Sequence, residues 1–393
     1  MELGARSLRQ RLRTDSEGRT VDVLVLAVLV ALSTVLYVGD LGFYSDDWVF
    51  IGILHRTQDQ SLLGLMEGLW SGDAVIRQRP VQILYLSGFY ALFGLHPLPY
   101  HLANAIALLG AVLLLNAVLR ELRQPRALAL AVPALYAAMP NFSSDRFWIA
   151  AHQATLSVLF FLLGAWSAFR GQRVGRRNRR LGLQALAVVC FVLSALAYEV
   201  TMPLFALVAA VLVLQAKGNP VVLRRLFPLG ALFAVAVVSL AAFKFGVSVR
   251  VSGEATPLDQ LRMIAVGAPR INLGVYGVGL PYVLWWIASH ALDVAVLAVA
   301  AVASVLVARA VGHAYTADVR ATAPRHGVVG AATFVLGYAI FSSRPTSASR
   351  APRWTTASGS GRRSEWPVRS WASWRGCSGR GSSRLWSGSS AAR

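Results

Sequence analysis

The feature that most constrains this chain is a succession of apolar runs, 14 to 24 residues long, separated by short segments rich in arginine. A helix needs about 20 apolar residues to cross a bilayer, and only helices or closed barrels satisfy their backbone there. Nine runs are predicted to cross: 21–39, 101–119, 127–140, 147–169, 181–197, 200–216, 226–247, 289–312 and 327–343. Only 14% of the 393 residues are charged, against about 25% in soluble domains. The fold class read from this is all-α, a polytopic membrane helical bundle. The net charge of +20 does not point to nucleic acid, because the arginines sit between apolar runs and form no basic face with stacking aromatics. Cys190 and Cys377 are the only cysteines, which supports neither a disulfide framework nor a cysteine metal site.

Charge distribution orients the bundle. The basic N-terminus, residues 1–20, precedes an apolar run too long for a signal peptide, so 21–39 is expected to be a retained first helix with its N-terminus cytoplasmic. With nine crossings, the cytoplasmic segments hold 20 Lys and Arg and the outer segments ahead of residue 344 hold 7. That is the asymmetry expected of an inner-membrane protein. The tail at 344–393 falls outside with ten Arg, against the positive-inside rule. Two apolar pieces, 81–95 and 274–287, are ambiguous. Making 81–95 a crossing would push the Arg170–Arg180 cluster outside, so it is expected to be a shallow or re-entrant helix with both ends facing out. Segment 274–287, with Tyr276, Tyr282, Trp285 and Trp286, reads as an interfacial aromatic belt. The expected organisation is a cytoplasmic stretch at 1–20, a bundle at 21–343 with a first outer loop and juxtamembrane helices over 40–100, and a tail at 344–393.

This topology gathers Asp46, Asp47, Arg77, Arg79, His101, Asp145, Arg146, His152 and Glu199 on or near the outer face. A carboxylate within hydrogen-bond reach of a hydroxyl can take its proton, and Asp46 and Asp47 are the first candidates. The same pair also fits a solvated acidic loop. Arg77 and Arg79 offer planar forks suited to phosphate or carboxylate, and equally to lipid headgroups. If their segment is helical, Asp145, Trp148 and His152 share one stripe beside Arg146; the same residues also fit a helix-start cap with an interfacial Trp. Glu199 lies in a tight connection between two apolar runs, where a carboxylate is costly unless paired or wet. Arg146 or an outer-loop arginine is its expected partner. The acidic outer cluster would also accept Mg²⁺ or Mn²⁺.

Three stretches together resemble a known group. They are Tyr44-Ser45-Asp46-Asp47-Trp48 after the first span, Arg79-Pro80 opening a run that ends Leu92-Phe93-Gly94, and Tyr100-His101-Leu102-Ala103-Asn104 opening the next span. In this order they look like a GT-C-type membrane glycosyltransferase, most similar to the protein O-mannosyltransferase and aminoarabinose transferase group. The similarity covers roughly residues 20–250. The resemblance implies a GT-C-like bundle of about nine spans plus shallow outer-face helices. It implies a polyprenyl-phosphate sugar donor and a glycan, lipid or protein acceptor. The outer-loop base would be Asp46 or Asp47, with Arg77 or Arg79 near the carrier phosphate; transfer would invert the anomeric centre and needs no metal. The sequence departs from the group in having Asp-Asp where Asp-Glu is usual, Arg-Gln-Arg-Pro where a Pro-Pro pair is frequent, and fewer crossings. The competing class is a lipid-linked sugar flippase or other multi-span transporter, and a third is a membrane scaffold without catalysis.

The tail has an unusual composition. Residues 344–393 hold ten Arg, no Lys and five of the eleven Trp, with almost no aliphatic residues. Disordered segments normally lack Trp, and a folded domain needs aliphatics. The expectation is a disordered tail, either read out of frame from near Ser343, which would put the activity of the product in question, or a genuine Arg/Ser-rich segment. Resequencing the 3′ end of the gene distinguishes the two, since an intact frame removes the first.

Overall fold

The computed structural model of the chain describes residues 2–35, 37–138, 146–216, 219–247, 266, 273–279 and 281. These belong to one compact unit, Met1–Pro345. Among them are ten α-helices and no strand. They are α1 (Glu2–Thr34), α2 (Asp47–Arg56), α3 (Leu62–Gly72), α4 (Pro80–Phe93), α5 (Pro97–Glu121), α6 (Arg126–Ala138), α7 (His152–Arg173), α8 (Arg177–Ala197), α9 (Met202–Ala216) and α10 (Pro220–Val247). Six helical segments are long and apolar enough to cross a membrane, so the chain is an integral membrane protein. The spans expected at 289–312 and 327–343, most of the 274–287 segment, and the tail lie outside the described residues.

Contacts between helix ends divide the bundle into two ends. At one, the buried Asp22 of α1 pairs with Arg120 at the end of α5 and with Arg126 at the start of α6, the latter at 2.8 Å. Glu121 pairs there with Arg170 and Arg173 of α7 at 3.1 and 3.3 Å. Gln184 of α8 reaches the Arg225 carbonyl of α10 at 2.8 Å. At the opposite end, His101 of α5 bonds the Gly42 carbonyl at 3.1 Å. The Ala150 N–H donates there to Asp47, and Lys244 near the end of α10 meets Glu199. The chain therefore passes between the two ends seven times among the described residues, through α1, α5, α6, α7, α8, α9 and α10. These seven passes coincide with the first seven expected spans.

The segment from Gly42 to His101 leaves and returns at the same end. Its α4 has 14 residues, about 21 Å at 1.5 Å per residue, short of a hydrocarbon core about 30 Å thick. Proline sets its start, since Pro80 at the first position gives up only an N–H that has no helical partner. Its end is set by Gly94, at φ 54°, whose N–H bonds the Tyr90 carbonyl at 2.8 Å; a side chain at that φ would be strained. The Tyr100 hydroxyl then bonds the Gly94 carbonyl at 3.0 Å, fixing the α4–α5 corner. Helices α2, α3 and α4 share a core of Ile51, Leu54, Leu65, Leu69, Ile83 and Leu86, which forms a small helical platform over one end of the bundle.

Helix α6 is also short, with 13 residues and Pro133 inside. It nevertheless starts at the Asp22 end, and Arg146 beyond it is held at the other end through Asn104 of α5. Between α7 and α8, Gly164 faces Phe191 and the Ala187 carbonyl, where a Cβ would come within 2.9 and 3.1 Å. The absent side chain lets these helices close on each other. Phe191, Phe205, Leu212 and Leu229 continue that core into α9 and α10.

Candidate functional site

The platform and the bundle end enclose a cavity of about 820 Å³, within the range of ligand pockets. Its wall includes Asp46, Asp73, Arg79, Gln82, Trp148, Gln153 and Tyr198. The acids come from the platform side, Arg79 and Gln82 from the start of α4, Gln153 from the first turn of α7, and Tyr198 from the turn between α8 and α9.

The two adjacent aspartates have separate positions. Ser45, at φ 45°, turns the chain through the left-handed region just before α2. Asp46 then takes the position just before α2, without a side-chain capping bond, and lines the cavity, its carboxylate accepting from the Ser45 hydroxyl at 3.2 Å. Asp47 points inward and is buried. Its Oδ2 accepts the Tyr44 N–H at 2.8 Å and its Oδ1 the Ala150 N–H at 2.5 Å. The Ala150 carbonyl in turn accepts from Gln82 at 3.3 Å. Burial raises the Asp47 pKa above the ordinary carboxylate range; the backbone N–H groups pull the other way, and Asp46 adds to the rise. Asp47 thus anchors the loop, while Asp46 faces the cavity.

Arg79 is buried and forms the cationic part of the wall. Its Nη2 meets Glu199 Oε1 at 3.1 Å and its Nε meets Oε2 at 3.4 Å. Its guanidinium lies 4.4 Å over the Tyr198 ring, a cation–π contact. Gln153, with its amide oxygen turned to Arg79 Nη1, accepts there at 3.1 Å. Burial pulls the Arg79 pKa down, and negative character at Tyr198 and Asp73 opposes that; arginine stays charged regardless. Glu199 is paired as its position demanded, with Arg79 as partner and not Arg146, and with Lys244 at 3.6 Å as a second.

Tyr198 and Glu199 are held from behind by hydroxyls. Ser157 of α7 donates to the Tyr198 carbonyl at 2.8 Å. Ser194 donates to the Ser157 carbonyl at 2.8 Å, and Thr201 closes the group 2.6 Å from Ser194 Oγ. All three are buried, so the short turn between α8 and α9 has little freedom.

Other expected site residues take different places. Arg77 is off the cavity wall: its Nε and Nη2 donate to the Trp70 and Ser71 carbonyls at 2.5 and 3.2 Å, completing the end of α3. His101 is buried and bonded to Gly42. Arg146 is buried and donates to the Tyr136 carbonyl at 3.0 Å. His152 is buried and stacked on Tyr85 at 4.2 Å with 4° between the rings. None of these three lines the cavity. Asp145 lies outside the described residues. Among the described residues no group of three His, Cys, Asp or Glu could hold a metal ion.

Sequence reasoning missed Lys244, which joins Glu199, and Asp73, Gln82 and Gln153 on the wall. Lys244 carried a usable signal, because it is the one ionisable residue in the 226–247 run and such residues inside spans are functional candidates by default. The others carried none. Compared with protein families, with curated proteins and with solved structures, the chain matches none of them.

Proposed function

We propose that this protein is a GT-C-type membrane glycosyltransferase that moves a sugar from a polyprenyl-phosphate donor to an acceptor at the outer face of a bacterial plasma membrane. The observation that carries this reading is the single cavity with a carboxylate, Asp46, and a buried arginine, Arg79, on its wall. The return of 42–101 to one end of the bundle, opposite the arginine clusters, supports an outward-facing site.

The chemistry follows from those two groups. An acceptor hydroxyl near Asp46 attacks the anomeric carbon as its proton passes to the Asp46 carboxylate. The bond from that carbon to the phosphate oxygen breaks, and the polyprenyl phosphate leaves with the electron pair. Arg79 stabilises the charge that develops on the leaving phosphate. Direct displacement inverts the anomeric centre. Gln82, Gln153 and Tyr198 line the same wall and supply hydrogen bonds for sugar hydroxyls.

The test is turnover of radiolabelled polyprenyl-phosphate sugars by the purified full chain in lipid nanodiscs. Cleavage of the sugar–phosphate bond with label passing to acceptor or water is the expected result. Movement of intact donor across vesicles without cleavage would instead identify a flippase, and absence of donor binding would remove the reading.

A further inference from the structure

We infer that the arginine-rich end of the bundle holds a site for one anionic phospholipid, its headgroup on Arg180, Arg224 and Arg225 and one acyl chain in the apolar crevice between α8, α9 and α10. The site lies at the opposite end from the Asp46–Arg79 cavity and is independent of the transferase reading.

The crevice has a volume of about 110 Å³ and is lined by apolar side chains and Gly230. Phe191 of α8, Phe205 of α9 and Phe233 of α10 pack on one another along it, with ring centroids 4.9, 5.8 and 5.9 Å apart. Gly230 and Ala209 on its lining are exposed. A Cβ added at Gly230 meets nothing within 4 Å among the described residues. The crevice therefore opens on the outside of the bundle, where acyl chains are the solvent. From Arg225 to Phe233 the helix rises about 12 Å, and from Arg180 to Phe191 about 17 Å, at about 1.5 Å per residue. Half of a hydrocarbon core is about 15 Å. The crevice thus reaches from the headgroup level to the middle of the bilayer, the depth of one acyl chain.

Its mouth is cationic. Gln184 donates to the Arg225 carbonyl at 2.8 Å, which sets Arg224 and Arg225 beside the second turn of α8. Arg177, Arg180, Gln184, Val188 and Phe191 recur at helical spacing on one face of α8, so its arginines stand over the seam that the crevice continues. Arg176, Arg177, Arg179 and Arg224 are exposed, and Arg180 and Arg225 are half-buried. Among the described residues none of these six takes part in an ion pair. Arg120, Arg126, Arg170 and Arg173, at the same end, all pair with carboxylates. The unpaired guanidiniums are thus concentrated where the crevice begins, and their planar forks suit a phosphodiester. A zwitterionic headgroup brings its own ammonium to that patch, so charge complementarity selects an anionic lipid.

The experiment extracts the full chain from bilayers of equimolar dioleoyl phosphatidylglycerol and dioleoyl phosphatidylcholine. Native mass spectrometry counts the lipids that stay bound, and a melting temperature is recorded for each protein. Wild type is expected to keep one phosphatidylglycerol, favoured over phosphatidylcholine by roughly tenfold or more. Arg180→Gln/Arg224→Gln/Arg225→Gln is expected to reduce that preference to within about twofold. Gly230→Leu fills the crevice and is expected to cut the retention of both lipids by roughly fivefold or more. Ala209→Leu fills it from α9 and gives the same readout if Gly230→Leu does not fold. Glycerol phosphate in solution carries the headgroup charge without a chain and is expected to leave the bound lipid in place. Equal retention of the two lipids by wild type, displacement by glycerol phosphate, or full retention in a folded crevice variant would overturn the site. A wild type that keeps no lipid, with crevice variants that melt earlier, would assign the crevice to protein packing and overturn it too.

Discussion

The Asp47 carboxylate accepts the backbone N–H of Ala150 across 103 residues of chain, at 2.5 Å. This contact ties the start of α2 to the turn that opens α7, and with it fixes the direction in which Asp46 faces. One aspartate of the pair is thus a structural hook and the other a cavity group. Asp47→Ala removes the acceptor from two N–H groups, that of Tyr44 and that of Ala150. Leaving a buried donor without a partner costs about 1–3 kcal/mol. A thermal unfolding scan of the variant in detergent is expected to show that loss, and an unchanged melting temperature would contradict the hook.

The raised pKa of Asp47 gives a pH signature. Its folded carboxyl holds a proton more tightly than the unfolded chain does, so its contribution to stability is complete below the ordinary carboxylate pKa. That contribution is lost as pH rises through the raised folded value. Asn at this position does not titrate. Asp47→Asn is therefore expected to gain in melting temperature relative to wild type as pH rises above the ordinary carboxylate pKa, about 4. A gap that stays constant or moves the other way would contradict burial as the dominant influence.

At the other end of the bundle, Asp22 is buried while Arg120 and Arg126 are partly exposed, with side chains at 27% and 40%. Removing both arginines strands a buried carboxylate, whereas removing Asp22 frees two cations that can reach water. The double variant Arg120→Ala/Arg126→Ala is expected to lose roughly 3–5 kcal/mol, and Asp22→Asn under about 1 kcal/mol. Denaturant titration of the two proteins checks the asymmetry; equal losses would contradict it.

The return of the chain at α4 is open to labelling. With the native cysteines replaced, Leu95→Cys is expected to react with an impermeant maleimide from outside intact cells. Gly175→Cys, in the α7–α8 connection at the opposite end, is expected to react only after permeabilisation. Both residues are exposed. Reaction of both from one side would contradict the assignment of the two ends.

The bundle was legible because its signals are long. Seven apolar runs and the arginine clusters between them suffice to fix the passes and the return of 81–95, since one misplaced crossing would invert the Arg170–Arg180 cluster. The site was legible only at the level of which end it occupies. Nothing in Asp46-Asp47 says which carboxylate turns inward, because that depends on the Ser45 turn and on an N–H donor 103 residues away. Arg77 and Arg79 look equivalent in sequence, yet one completes a helix end and the other meets Glu199. His101 and His152 read as polar site residues, and both are packed into the core instead. Lys244 lies near a helix end, and only the fold brings Glu199 to it.

The central claim is that Asp46, on the same cavity wall as Arg79, takes the acceptor proton. The most direct test is sugar transfer from a polyprenyl-phosphate donor by wild type and by Asp46→Asn, with donor binding and melting temperature recorded on the same preparations. The account expects transfer to fall by roughly a hundredfold or more, with both controls unchanged. Transfer at the wild-type rate in Asp46→Asn would contradict it.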